Sequence, residues 1–496
     1  MSTILASSAA LFASPSAAPS SAPDATPYAA PSGSITDRRR WWALAVVVSA
    51  QFMFVVDAFI VNVAIPTIRR SLGTGGGEME AVIAIYQIAY ASLVITGGRL
   101  GDIMGRRRVF IAGVLAFTTA SVWCGLATSG IELVLGRLLQ GATAALMVPQ
   151  VLATIHALFP DDARARAFAV FGVTLGLGGA VGFALGGWLV TLDLFGLGWR
   201  SVFLVNLPVG LAVAAGALLL MPEGMRRPGT RLDLPGAVTL FFALIGLIGP
   251  FLAGRELGWP VWLWLTMAAG GALLPLFARW ERRVERRGGL PLVSLGLLRD
   301  RRFRRGLAAV AAFQSGNVSF YLLMTLFMQN QLGFSPVQSG WAVVPLAVAF
   351  TIASQLAGGW VSRHGIRVLL LGCGIQLAGL VAVAGLVPVQ PDLPVVMAVL
   401  PVFGFGQGLV MAPLAGLVLT TVPRDQAGVG SGLLNTVHQG TGAFGVAAVG
   451  LTYAAGGPIG WWGTLAALDL LGLSVIATAW LLVRMGQEQS ATKLLT

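Results

Sequence analysis

Apolar residues in this chain run in long blocks separated by short polar gaps. Fourteen blocks can be drawn, at about 41–65, 80–98, 109–128, 131–159, 167–190, 200–221, 234–253, 259–278, 306–329, 337–361, 367–387, 394–421, 428–454 and 460–483. Each is near the roughly 20 residues that a helix needs to cross a hydrocarbon core about 30 Å thick. Backbone N–H and C=O groups in lipid find no water, so each block must close its own hydrogen bonds as a helix. The pattern predicts an all-α, polytopic membrane protein of 14 transmembrane helices, with no sizeable soluble domain in which to do chemistry.

The gaps carry a sign. If the N-terminus is cytoplasmic, Arg38–Arg40, Arg99, Arg106–Arg108, Arg226, Arg227, Arg231, the cluster Arg279–Arg305, Arg363, Arg367 and Arg484 lie inside, while Arg69, Arg70, Arg200 and Arg255 lie outside. About 27 of the basic residues then fall inside, the positive-inside distribution, which predicts an inner (plasma) membrane protein with both termini cytoplasmic. A net charge of +12 would otherwise suggest nucleic acid. No basic segment forms a soluble module, so nucleic-acid binding is not expected, and the loops meet the anionic inner leaflet instead. Composition agrees: 10% of residues are charged, against about 25% in soluble domains.

Residues 1–40 are rich in Ala, Ser and Pro and are expected to form a disordered cytoplasmic tail. They lack the basic start of a signal peptide, so the first helix is expected to be an uncleaved membrane signal. Residues 485–496 are expected to form a second tail. The gap 279–305 (ERRVERR, then RDRRFRR) is a solvated connector or a short amphipathic helix. Weak self-similarity divides the rest. GGRLGDIMGRRRVF after helix 2 recurs as GGWVSRHGIRVL after helix 10, matching Gly98 and Gly105 to Gly358 and Gly365, and FPDDARARA recurs as VPRDQAGVG. Residues 41–221 and 306–484 are therefore read as two six-helix bundles, with residues 222–305 as two inserted helices and a basic loop. Internal repeats of this kind mark secondary transporters, with the site between the halves near the midplane.

Energy sources can be narrowed. The single lysine, Lys493, is followed by Leu494, and the Gly-rich stretch Gly73–Glu78 leads into no lysine. A phosphate-cradling loop is therefore missing, and ATP drive is not expected. The cysteines, Cys124 and Cys373, lie in apolar blocks, and His156, His364 and His438 are far apart. No metal site, cofactor or enzymatic activity is expected from that set. What remains is ion-coupled or facilitated movement of a small molecule.

Ionisable groups inside a bilayer are costly, so each is a functional candidate. Asp57 lies roughly 12 Å from the outer end of helix 1 and Arg137 roughly 9 Å from that of helix 4, at 1.5 Å per residue. The two can pair. Burial disfavours a carboxylate's charge and a guanidinium favours it. A group held between those influences can gain and lose a proton as a cavity switches sides; the plainer alternative is a static ion pair that fixes helix packing. Asp469 in helix 14 is a second coupling carboxylate or a structural acid. His438 in helix 13 carries an imidazole, a group whose unperturbed pKa is about 6.5; it is a proton relay, or it bonds Asn435 or Gln439.

Polar stripes suggest a cavity. Arg137, Gln140, Thr143, Met147, Gln150 and Thr154 share one face of helix 4, and Gln314, Asn317, Tyr321, Met324 and Met328 share one face of helix 9. Such faces line either a cavity or a partner helix. Gln51, Gln87 and Asn435 complete the candidate cavity set. In helix 5, Gly178, Gly182, Gly186 and Gly187 leave a bare side that allows close, mobile helix contact.

Together these residues resemble the major facilitator superfamily, in its 14-helix drug:proton antiporter branch. GGRLGDIMGRRR (Gly97–Arg108) resembles the signature loop between helices 2 and 3. That resemblance implies a cytoplasmic gate formed by Gly98, Asp102, Gly105 and Arg106. LVLGRLLQGATAA (Leu133–Ala145) resembles the helix-4 motif whose arginine is implicated in proton coupling, here Arg137. DAFIVNVAIP (Asp57–Pro66) is similar to the branch's helix-1 motif, and WRSVFLVNLPVG (Trp199–Gly210) and GLLNTVHQGTGAFG (Gly432–Gly445) also look like its segments. Two positions depart: Gly182-Phe183 stands where the antiporter motif usually has Gly-Pro, and His438 where many relatives carry Arg. The resemblance implies two six-helix bundles plus two extra helices. It also implies a monomeric exporter of amphipathic or cationic organic compounds in exchange for protons, by alternating access. A dedicated exporter of one metabolite is the alternative.

Overall fold

The structure, a computed structural model, describes residues 37–159, 161–223, 232–289, 291–422, 427–456 and 461–495. The expected tail up to residue 36, Arg226, Arg227, Arg231 and the repeat segment 423–426 lie outside the described residues.

Every apolar block becomes a helix. In chain order these are α1 (Asp37–Leu72), α2 (Gly76–Met104), α3 (Arg106–Leu126), α4 (Gly130–Leu158) and α5 (Asp161–Leu192). The span α6 (Gly198–Leu220) is assembled from a tight turn and two helical pieces. Then come α7 (Leu234–Leu257), α8 (Val261–Arg286), α9 (Arg301–Leu326), α10 (Pro336–His364), α11 (Arg367–Leu386), α12 (Leu393–Leu419), α13 (Ala427–Ala455) and α14 (Trp461–Leu495). Among the described residues, thirteen are long and apolar enough to cross a membrane. The other, α13, is as long as most of them but carries Asn435, Thr436, His438, Gln439 and Thr441, and it packs inside the bundle against α2, α7, α9 and α14.

Three boundaries differ from expectation. α1 already begins at Asp37, so the last residues of the expected tail are helical. The first part of the expected basic connector is the continuation of α8, because ERRVER contains good helix formers and Glu281 on it is fully buried. Beyond it, Leu292, Val293 and Leu297 are buried, so the connector is anchored rather than simply solvated. The expected C-terminal tail continues α14 to Leu495.

Helices α1–α6 pack on one another, as do α9–α14. Two seams join the groups, α5 against α10 and α2 against α13. The repeat reaches backbone detail: the turn after α2 uses Gly105 at φ 99°, and the turn after α10 uses Gly365 at φ 58°, a region open to glycine at little cost. The inserted α7 covers the α2–α13 seam, and α8 packs on α7 at the periphery, exposing Trp262, Trp264 and Leu265.

The helix-5 glycines set how closely the first group packs. A Cβ at Gly178 would lie 2.8 Å from Val55, at Gly182 3.0 Å from the Val56 carbonyl, and at Gly186 2.8 Å from the Ile60 carbonyl. These three step along α1. Gly187 faces the other group, where a Cβ would meet the Pro336 carbonyl of α10 at 2.3 Å. Gly182→Leu is expected to cost about 1–3 kcal/mol as an overpacking change. A fall in the melting temperature of the purified protein would show it; an unchanged melting curve would contradict the packing described.

Candidate functional site

Asp57 and Arg137 meet. Arg137 Nη1 donates to Asp57 Oδ2 at 2.5 Å, with 1% and 0% of the two side chains exposed. The pair is embedded in a network drawn from five helices. Asp57 Oδ1 accepts from Gln140 Nε2 at 3.0 Å and from Asn206 Nδ2 of α6 at 2.9 Å. Both amides also donate to Ser121 Oγ of α3. Arg137 donates to the Gln140 side chain and to the Val82 carbonyl of α2, and it lies 4.0 Å above the Tyr86 ring. Cys124, a free thiol, donates to Gln140 Oε1. A carboxylate and a guanidinium can both stay charged out of water only when matched and hydrogen-bonded in this way.

Several other residues of the α4 stripe are satisfied by protein groups. Gln140 belongs to the Asp57 network, and Thr143 bonds the Leu139 and Gln140 carbonyls of its own helix. Met147 packs on Gly113 of α3. Gln150 donates to the Gly97 carbonyl, and its Oε1 fills the space beside Gly101. Small residues on α2 and α3 bring these helices close enough to satisfy polar groups that sequence alone cannot orient.

A second network occupies the other group. Gln314 of α9 contacts the His438 ring through Nε2 and accepts from Asn317, which in turn accepts from Gln376 of α11 at 3.3 Å. His438 is thus bonded to Gln314, and neither Asn435 nor Gln439 is its partner. Asn435 instead crosses the seam to the Tyr90 hydroxyl, and Thr436 to the Ala91 carbonyl. Tyr321 donates to Gln407 of α12 at 3.0 Å. Its ring meets Phe59 and Phe183 at centroid distances of 5.1 and 5.3 Å, so α1, α5 and α9 form one aromatic cluster. Phe183, where the resemblance implies a proline, is one of the three rings. Asp469 is exposed on α14 and joins neither network.

Among the described residues, several buried polar atoms have no protein partner: Gln51 Oε1, the Tyr86 hydroxyl and Gln87 Oε1 in the first group, and Gln376 Oε1 in the other. Gln87 lies at the α2–α13 seam, facing Gly442. A recess of about 940 Å³ opens at the end of the bundle away from the arginine-rich loops. Its walls include Ile65, Arg69, Glu80, Glu256, Leu322 and Gln329. At the basic end Asp102 pairs with Arg106 at 3.3 Å, and Arg106 also reaches the Ala153 carbonyl of α4. Gly105 makes the turn between them, and Gly98 packs loosely on Pro149.

Sequence reasoning missed Asn206, Ser121, Gln376 and Gln407. Asn206 had a signal, an amide alone in an apolar block; Ser121 had none, since a helical serine can always bond its own backbone. Asn206→Leu is expected to lower stability by about 1–3 kcal/mol by leaving part of a buried carboxylate without its donor. Thermal unfolding in detergent would detect it, and a neutral result would remove Asn206 from the network.

The Major Facilitator Superfamily description matches residues 47–238 and 234–446. Among relatives, the chain is 40% identical over 423 residues to a probable actinorhodin transporter of Streptomyces coelicolor, covering 84% of this chain and 72% of that one. It is 36% identical to the puromycin resistance protein pur8 of Streptomyces alboniger, covering 83% and 81%. It is 33% identical to the multidrug resistance protein Stp of Mycobacterium tuberculosis, covering 82% and 74%. A solved POT-family transporter, PepTSo, shares the fold with a TM-score of 0.66 at 15% identity over 91% of this chain and 98% of its own. The chain is therefore a multi-pass membrane transporter and belongs to the Major Facilitator Superfamily. Within that family, it is related to drug and antibiotic efflux proteins.

Proposed function

We propose that the protein exports amphipathic or cationic organic compounds in exchange for protons, with the basic end and both termini in the cytoplasm and the recess facing outside. It works as a monomer in the plasma membrane, its basic loops against anionic lipid. The observation that carries this reading is the sealed Asp57–Arg137 pair and its five-helix network. With the pair intact, Asp57 is ionised and its proton has left. When the far end opens, a proton from outside neutralises Asp57, which leaves Arg137 without its counter-charge in a dry site. That state is costly, so α1 must shift relative to α4 and α6. Because Gly178, Gly182 and Gly186 hold α5 directly on α1, a shift of α1 is passed to α5 and on to α10 through Gly187. Asp57 is thus the proton carrier and Arg137 its coupling partner, while Asp102 and Arg106 latch the cytoplasmic end. Gln51, Gln87, Gln314, Asn317, Tyr321 and Asn435 surround the substrate between the halves, where the orphaned acceptors suit a ligand's cationic or hydroxyl groups. His438 meets that space through Gln314.

A second reading, a dedicated exporter of one metabolite, is favoured by relatives described by single compounds, actinorhodin and puromycin. One experiment tests both. Proteoliposomes carrying a pH gradient are challenged with a panel of unrelated compounds, and gradient collapse is followed with a dye. Collapse with several chemically unrelated compounds supports multidrug exchange, and collapse with one supports the dedicated exporter. Compound movement with no proton movement would rule out exchange.

A further inference from the structure

The inserted hairpin carries two buried acids that lie apart from the Asp57 network. Asp233 caps the start of α7, and Glu281 lies on the extension of α8 at the basic end; 6% and 0% of them are exposed. Each has one satisfied oxygen. Asp233 Oδ1 accepts from the Gly236 amide at 3.0 Å and from Trp280 Nε1 at 2.7 Å. Glu281 Oε2 accepts from the Val293 amide of the connector at 3.0 Å. The other two oxygens, Asp233 Oδ2 and Glu281 Oε1, are buried and receive no donor. Both point to one place: a Cβ built on Gly236 would lie 2.6 Å from each of them.

Two buried acceptors aimed at one point repel when both groups are charged. They satisfy each other when one proton sits between them, as in carboxyl pairs that cannot both ionise. Among the described residues, Arg99 of α2 is close enough to attract both acids, and Glu285, one turn along α8, accepts from Ser294. Arg99 also donates to the Pro291 carbonyl at 2.5 Å, tying the connector to α2 three residues before Asp102. Among the described residues Arg99 is the guanidinium that attracts both acids, and it balances one negative charge, so the pair with a single proton is the matched state.

We infer that Asp233 and Glu281 form a second proton-binding site, at the basic end, whose shared proton holds the α7–α8 hairpin and its connector against α2. Loss of that proton puts two like charges face to face beside Arg99, and the hairpin loosens from α2, the helix that carries Asp102. The site is independent of Asp57 and does not require the protein to be an antiporter.

Trp280 is the built-in reporter, because its indole N–H touches Asp233. Full-length protein labelled with 5-fluorotryptophan, with the Trp280 resonance assigned by W280F, is titrated by fluorine NMR. The expected result is a one-proton transition, a tenfold change in the ratio of the two forms per pH unit. It is unchanged in D57N and abolished in E281Q, which mimics the protonated state. D233N, which keeps a capping side chain, serves if E281Q does not fold. A Trp280 resonance that does not move with pH, or that moves equally in wild type and in both variants, would overturn the site. Because D57N leaves the transition in place, failure here is distinct from failure of proton-coupled export.

Discussion

Asp57→Asn is expected to abolish uphill transport driven by a pH gradient, reducing it at least about 100-fold to the rate of empty vesicles, while substrate counterflow persists. Asparagine matches the carboxylate in size and can still accept from Asn206 and Gln140, but it cannot pick up and release a proton. It also leaves Arg137 charged in a dry site, and removing one partner of a buried ion pair costs about 3–5 kcal/mol. The variant should therefore unfold at a lower temperature than wild type. A double variant, Asp57→Asn with Arg137→Gln, should recover much of that stability, because neither buried charge remains, and should recover none of the transport. That divergence separates coupling from packing. If the double variant regained uphill transport, or if the single variant kept it, Asp57 would be only a structural partner of Arg137.

The second large effect is expected at the α5–α10 seam. The backbones there approach so closely that a Cβ at Gly187 would lie 2.3 Å from the Pro336 carbonyl, and one at Gly340 2.5 Å from the Phe183 carbonyl. Neither contact can yield by a rotamer change, since the obstructing atoms are backbone. Gly187→Leu should hold this end apart, lower transport at least about 10-fold, and raise the labelling of a cysteine placed at Gln329 in the recess by a membrane-impermeant reagent. Gly178→Ala, on the α1 side, should have a smaller effect, because Val55 can move. Normal transport by Gly187→Leu would mean that the seam does not open in the cycle.

The fold was legible because lipid removes alternatives. A block of apolar residues long enough to cross has to be a helix, and the arginines between blocks report their side. Helix ends were less legible where charged residues continue a helix, as at Arg279–Arg286, because sequence does not show that Glu281 finds a buried partner. The site was half legible. Asp57 and Arg137 stand out as charges in apolar blocks at compatible depths. The direction of the α4 face was not, because a polar stripe looks the same whether it lines a cavity or meets Gly97, Gly101 and Gly113 on adjacent helices. Asp469 shows the converse: a charge within an apolar block that ends on the exposed side of α14.

The proposed exchange requires Asp57 to change its charge as the transporter reorients, and its own carboxyl stretch in the infrared, assigned by difference from Asp57→Asn, reports that charge directly. Two forms are compared: one locked by a disulfide between Gly187→Cys and Pro336→Cys, and the Gly187→Leu form held open at the same end. The expected result is an ionised Asp57 in the locked form, paired with Arg137, and a protonated carboxyl band in the open form. The same charge state in both would contradict proton coupling through Asp57.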